Sequence, residues 1–148
     1  MKLLLLPGDG IGPEISKVVA DVIECLNNKL DLGIELKEKD AGFKALDCYG
    51  TTFPADVAKE AEASDGIILG PSDSAAYPSP EKGGINLSAA FRRKFDLFAN
   101  IRPAKSWAGI KSNVPSMDMI VVRENTEGFY ADRNMFTGSG EFMPTPDL

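Results

Sequence analysis

The first thirty residues narrow the fold class more than any other part of the chain. Lys2 to Leu6 is a short continuous apolar run closed by Pro7-Gly8, the pattern of a strand covered on both faces. A helix follows without a spacer. Ile15, Val18, Val19, Val22, Ile23, Leu26 and Leu30 recur at three- and four-residue steps behind Pro13 and Glu14, where a missing N–H is harmless and a negative charge is favoured. A strand that passes directly into a helix predicts an α/β sheet.

The rest of the chain continues this alternation. Ile34 to Lys39 alternates as a strand does, Pro54 to Ser64 predicts a helix with Val57, Ala58 and Ala61 inward, and Gly66 to Gly70 is a second buried strand run. From Pro71 to Gly84 no period survives, and a loop of this length marks a candidate functional segment. Phe91, Phe95 and Phe98 mark a helix face. Ala99 to Lys105 and Met117 to Val122 predict two more strands, the second buried at Ile120, Val121 and Val122, with Trp107, Gly109 and Pro115 in the loop between them. Beyond Tyr130 the signal fades into "TGSGEFMPTPDL", so the chain reads as unfinished, without a closing helix or strand.

Composition excludes several classes of function. The formal charge is −6 and no basic run occurs, which argues against a nucleic-acid or anionic-membrane partner. The apolar N-terminal run is far shorter than the about 18 residues a membrane span needs. There is no histidine, so imidazole catalysis and histidine metal ligation are absent from this chain. The two cysteines, Cys25 and Cys48, form no Cys-x-x-Cys pair and read as reduced thiols in a cytoplasmic protein. At 148 residues, one domain is the default count.

The remaining chemistry rests on glycines, arginines, carboxylates and tyrosine. "PGDGIGPE", residues 7–14, places three glycines at alternate positions between strand and helix, where backbone can approach a ligand and helix N–H groups face an anion. It is not a G-x-G-x-x-G fingerprint, because Pro13 stands at the third glycine position. A tight structural turn and a ligand loop both remain open. Arg92 and Arg93 lie on the phenylalanine helix, whereas Arg102 and Arg123 stand at strand ends. Three rigidly mounted guanidinium groups, Arg92, Arg102 and Arg123, would suit a small dicarboxylate or tricarboxylate, each gripping a carboxylate bidentately. Tyr130 reads as either a packed aromatic or a catalytic acid. Asn86-Leu87-Ser88 matches the N-glycosylation pattern but has no secretory signal beside it.

Taken together, "LLPGDGIGPE" (5–14), "RRKFDLFANIRPAK" (92–105) and "VVRENTEGFY" (121–130), with their spacing, resemble the N-terminal portion of the β-decarboxylating 2-hydroxy-acid dehydrogenases, the isocitrate/isopropylmalate dehydrogenase family. The resemblance implies an isopropylmalate dehydrogenase-like α/β fold. Residues 1–99 would form the first part of a large α/β domain, and 100–148 the start of a second, dimer-forming domain. It implies NAD or NADP and Mg²⁺ or Mn²⁺ as cofactors, a malate-type 2-hydroxy acid as substrate, and a homodimer. Carried over by motif, Arg92, Arg102 and Arg123 match carboxylate ligands and Tyr130 matches the catalytic tyrosine. Gly10, Ile11, Gly12, Gly70 and Ser72 would lie near the nicotinamide.

The implied reaction oxidises the C2 hydroxyl and then releases the β-carboxylate, with the metal polarising the C2 oxygen and Tyr130 donating a proton to the enolate carbon. The family's catalytic lysine, metal-binding aspartates and adenosine-binding segment have no counterpart in these 148 residues, so the chain alone is expected to show no turnover. Asn86, Ser88 and Ala89 match the positions that the resemblance implies set substrate choice, and they satisfy none of the family's specific patterns. Isopropylmalate stands first, with tartrate-like and isocitrate-like acids as alternatives. A non-catalytic fragment or regulatory subunit is the competing reading.

Overall fold

A computed structural model describes residues 1–125, 135–138 and 141–144, and the chain divides into two compact units, Met1–Ser88 and Ala89–Leu148. In the first unit, β1 (Lys2–Leu6) is the centre of a three-stranded parallel sheet of order β2-β1-β3, between β2 (Glu35–Glu38) and β3 (Gly66–Leu69). With a strand on each side and cover on both faces, Leu4, Leu5 and Leu6 are at most 1% exposed. The continuous leucine run is the sequence of a central parallel strand. The strand predicted over 66–70 is likewise formed, but β3 has one neighbour in the sheet and its residues are only half-buried.

Helix α1 (Gly12–Leu30) carries Pro13 and Glu14 in its first turn and ends where Asp31 turns left-handed, its N–H donating to the Asn27 carbonyl. The Asn27 side chain then pairs with the Ile34 backbone in both directions, at 3.0 and 2.8 Å, which fastens the end of α1 to the start of β2. Only Gly12 and Ser16 of α1 are fully buried. The apolar stripe of Ile15, Val18, Val19, Val22, Leu26 and Leu30 is exposed instead.

Helix α2 (Phe43–Tyr49), bracketed by the positive-φ glycines Gly42 and Gly50, was not legible as an apolar period. Helix α3 (Ala55–Glu62) matches expectation, with Val57 and Ala61 buried and Ala58 half-buried. The 71–84 segment is irregular apart from one 3₁₀ turn at Pro80–Lys82. Thr52, fully buried, fastens its far end: its hydroxyl donates to the Ile85 carbonyl and accepts the Ile85 N–H, and its own N–H donates to the Gly83 carbonyl.

The boundary between units falls within α4 (Leu87–Lys94). The predicted phenylalanine face is shorter than three residues. Phe91 is buried and stacks on Phe95 at 6.1 Å, but Asp96 adopts a left-handed conformation past the helix end and Phe98 is 70% exposed. Strands β4 (Ala99–Lys105) and β5 (Asp118–Glu124) form an antiparallel pair with Arg102 opposite Val121 and Asn100 opposite Arg123. The strands are where the sequence places them, yet their burial is not: Ile120 and Val122 are 63% and 65% exposed, because this ribbon has two strands and no covering layer among the described residues. An apolar run specifies a strand whether or not anything lies against it. Strands β6 (Met135–Gly138) and β7 (Glu141–Pro144) form a further antiparallel hairpin, in the stretch where no period was readable. Cys25 and Cys48 are free and exposed.

Candidate functional site

The glycine loop of the first unit is built by backbone interlocking. Gly8 sits at φ +77°, and a Cβ there would lie 2.1 Å from the Pro71 carbonyl oxygen. A Cβ on Gly12 or on Gly70 would fall 2.1 or 2.0 Å from the Pro7 carbonyl oxygen. No side chain fits these three places. The Asp9 N–H donates to the Pro71 carbonyl at 2.7 Å and the Gly12 N–H to the Asp9 carbonyl at 2.8 Å, so the loops after β1 and β3 are held face to face. Of the three glycines singled out for the cofactor, Gly12 and Gly70 are close-packing points between these two loops.

Gly10 is different. It has φ +58°, yet a Cβ placed there would meet nothing within 4 Å, so bare backbone faces an open cleft of about 390 Å³ lined by Asp9, Gly10, Ile11, Phe43, Pro71, Ser72 and Asp73. This volume lies at the low end of the range for small-molecule clefts. Gly10, Ile11 and Ser72 thus come together at one cleft. Asp9, Phe43 and Asp73 were not singled out from sequence, although an aspartate between two glycines is a signal that could have found the first. Burial and the neighbouring Asp9 carboxylate push the Tyr77 phenol well above its ordinary range, against the opposing hydrogen bond from Ser72.

The second unit gathers the arginines. Residues directly opposite in an antiparallel pair share a face, as do residues two apart on one strand, so Asn100, Arg102, Val121 and Arg123 stand on one face of the β4–β5 ribbon. Arg102 Nε donates to Asn100 Oδ1 at 3.0 Å, and Asn100 is the direct partner of Arg123. Arg92 Nη1 donates to Asn125 Oδ1 at 3.3 Å, while Asn125 Nδ2 donates to the Leu97 carbonyl and its N–H to the Phe98 carbonyl. Asn125, only 5% exposed, therefore fastens the end of β5 to α4 and to the turn after it. Asn100 and Asn125 are the ribbon's organising residues and were not singled out from sequence. Asparagine beside a strand arginine gives no period by which to find it.

Asn86 immediately precedes α4, and Ser88 lies one turn before Arg92 on that helix. Tyr130 lies outside the described residues. Among the described residues, no three His, Cys, Asp or Glu side chains gather into a group that could hold a metal ion, and no helix is long and apolar enough to cross a membrane.

A family model described as isocitrate/isopropylmalate dehydrogenase matches residues 2–142, which takes in both the glycine loop and the arginine ribbon. The chain belongs to that family. It is 36% identical over 139 residues to the 3-isopropylmalate dehydrogenase of Saccharolobus solfataricus, covering 94% of this chain and 39% of the relative. The corresponding protein of Methanothermobacter thermautotrophicus is 34% identical over 140 residues, covering 95% and 39%. Among solved structures, isocitrate dehydrogenase from Methylococcus capsulatus superposes with a TM-score of 0.72 at 30% identity, over 97% of this chain and 40% of that one. This family member thus spans about two-fifths of the length of the relatives it matches. Its mixed α/β architecture with a parallel sheet is the isocitrate/isopropylmalate dehydrogenase fold.

Proposed function

We propose that the protein contributes the carboxylate-gripping and nicotinamide-facing parts of an NAD- or NADP-dependent dehydrogenase that oxidatively decarboxylates a malate-type 2-hydroxy acid, with 3-isopropylmalate as the first candidate. The observation that carries this reading is the placement of Arg102 and Arg123 on one face of the β4–β5 ribbon, with Arg92 hydrogen-bonded to Asn125 at its end. Guanidinium groups keep their charge in any surroundings and hold carboxylates in a fixed plane. Mounted on strands and a helix, they would orient the substrate's carboxylates for both oxidation and loss of the β-carboxylate. Asn86 and Ser88 would face the substituent that distinguishes one acid from another.

The first unit fits the cofactor in the one respect its geometry exhibits, bare backbone at Gly10 opening on the cleft beside Ile11 and Ser72. A nicotinamide dinucleotide bound there would supply the two-electron acceptor. Tyr130 would deliver a proton to the carbon that loses its carboxylate. The described residues do not make a ligand set for Mg²⁺ or Mn²⁺.

In this reading residues 1–99 belong to the large α/β domain and 100–148 begin a second domain that serves a homodimer, in the cytoplasm. The exposed apolar stripe of α1 favours one alternative, in which the chain is a non-catalytic subunit or fragment that works beside another polypeptide. Calorimetric titration of the chain with 3-isopropylmalate, isocitrate, tartrate and malate tests the main reading. One acid should bind, and Arg102→Ala should abolish that binding. Affinity retained in the variant would refute the arginine assignment. The 148-residue chain with NAD⁺ and Mn²⁺ is expected to form no NADH, and metal-dependent NADH production would contradict that expectation.

A further inference from the structure

Three loops of the first unit converge on one carboxylate. Asp9 is 8% exposed. Its Oδ1 accepts the Phe43 N–H at 2.7 Å, and its Oδ2 accepts the Asp73 N–H at 3.0 Å and the Tyr77 hydroxyl. The Tyr77 ring stands edge-on against Phe43, with centroids 5.0 Å apart and planes at 83°. Two segments, one 34 residues away in sequence and one 64 to 68 away, thus close on a side chain of the glycine loop. The cleft described above is lined by residues of these same three loops.

We propose that Asp9 is the positioning residue of this cleft. Its carboxylate fixes the glycine loop, the start of α2 and the 71–77 segment as one wall, and Tyr77 is the bolt that ties the last of them. Hydrogen bonds to an ionised acceptor are about twice as strong as neutral ones, so three donors on one carboxylate make a stiff junction. Gly10 and Ile11 follow Asp9 directly in the chain. Holding Asp9 therefore sets where the bare backbone of Gly10 stands relative to Ser72 and Asp73. The neutral form of Tyr77 is favoured by its burial and by Asp9, so it remains a donor at neutral pH.

The ligand part of this proposal rests on the cofactor reading given under Proposed function, and the experiment separates the two. Amide hydrogen exchange is followed at Phe43, Asp73 and, as a reference in the sheet centre, Leu5, for the native chain, Asp9→Asn and Tyr77→Phe. NADH affinity is measured on the same three proteins by fluorescence. An asparagine has one acceptor oxygen in place of two, so Asp9→Asn should speed exchange at Phe43 or Asp73, or both, about tenfold or more with Leu5 unchanged. Tyr77→Phe should speed Asp73 and leave Phe43 as it was. In Asp9→Asn the latest-ionising tyrosine, followed by ultraviolet absorbance, should also move down toward the ordinary phenol range, a change that loosened packing confined to other loops would not produce. NADH affinity should fall about tenfold in Asp9→Asn, the loss that one charge-assisted bond represents. Unchanged exchange, equal acceleration at all three amides, or NADH affinity retained despite selective acceleration would each overturn the proposal. If the native chain binds no NADH, the cofactor reading fails for this chain by itself, and the exchange pattern alone decides the role of Asp9.

Discussion

The glycine-loop region and the arginine ribbon are constructed on opposite principles. In the first, main chain touches main chain at Gly8, Gly12 and Gly70, and the Asp9 and Tyr77 side chains tie the loops across. In the second, side chains stand on a two-stranded ribbon whose apolar residues are open to solvent. A surface made by interlocked backbone is intolerant of added atoms. One made by side chains on a ribbon tolerates change in volume and depends on chemical identity.

Substitutions can break or sharpen this contrast. A large effect is expected from Gly70→Ala, whose new Cβ would lie 2.0 Å from the Pro7 carbonyl oxygen and force the two loops apart. Overpacking of this kind against rigid backbone should destabilise by roughly 3 kcal/mol, read by urea denaturation. Leu5→Ala, in the buried sheet centre, should cost about 2–5 kcal/mol in the same measurement. Asn125→Ala removes a nearly buried side chain that bonds Arg92 and the Leu97 carbonyl, and should cost about 1–3 kcal/mol while weakening carboxylate binding. Ile120→Ala, on the open ribbon, should change stability by no more than about 0.5 kcal/mol. A large loss from that last variant would show that the ribbon is covered in solution and would erase the contrast.

Alkaline pH probes the first region through Tyr77. The Tyr77 phenol is raised in the folded protein, so the folded state holds its proton more tightly than the unfolded chain does. The stabilisation is complete below the unfolded phenol value of about 10 and is lost as pH rises above it. Native protein should accordingly lose stability above about pH 10 more steeply than Tyr77→Phe, as followed by thermal melting across that range. Parallel curves would contradict the placement of the phenol.

The two regions also differ in how much of them the sequence disclosed. The leucines of β1 and the three-four spacing of α1 fix element type, because periodicity is imposed by local backbone geometry. They carry no information on what lies against an element. Burial at Ile120 and Val122 was therefore expected and not found, and the α1 stripe turned outward while Ser16 went in. Helix α2 is only seven residues long and is set by Gly42 and Gly50 more than by any apolar face. The arginines could be named from strand ends and family motifs, but their shared face depends on the register Asn100↔Arg123, which only pairing reveals. Asp9 was hidden for a related reason: its donors come from residues as far as 68 positions away.

The register of β4 and β5 has a consequence for how such a chain tolerates change in length. Ser106 and Met117 close the ladder, with the Ser106 N–H donating to the Met117 carbonyl, so the segment between them is free to lengthen or shorten without disturbing the residues opposite one another. Inside β5 the rule is strict. One residue inserted between Val121 and Arg123 would reverse the side of the ribbon from which Arg123 projects and separate it from Arg102, although composition, charge and hydrophobicity would hardly alter. Relatives of this chain should therefore carry gaps in the 107–116 turn and almost none in the seven residues of the strand.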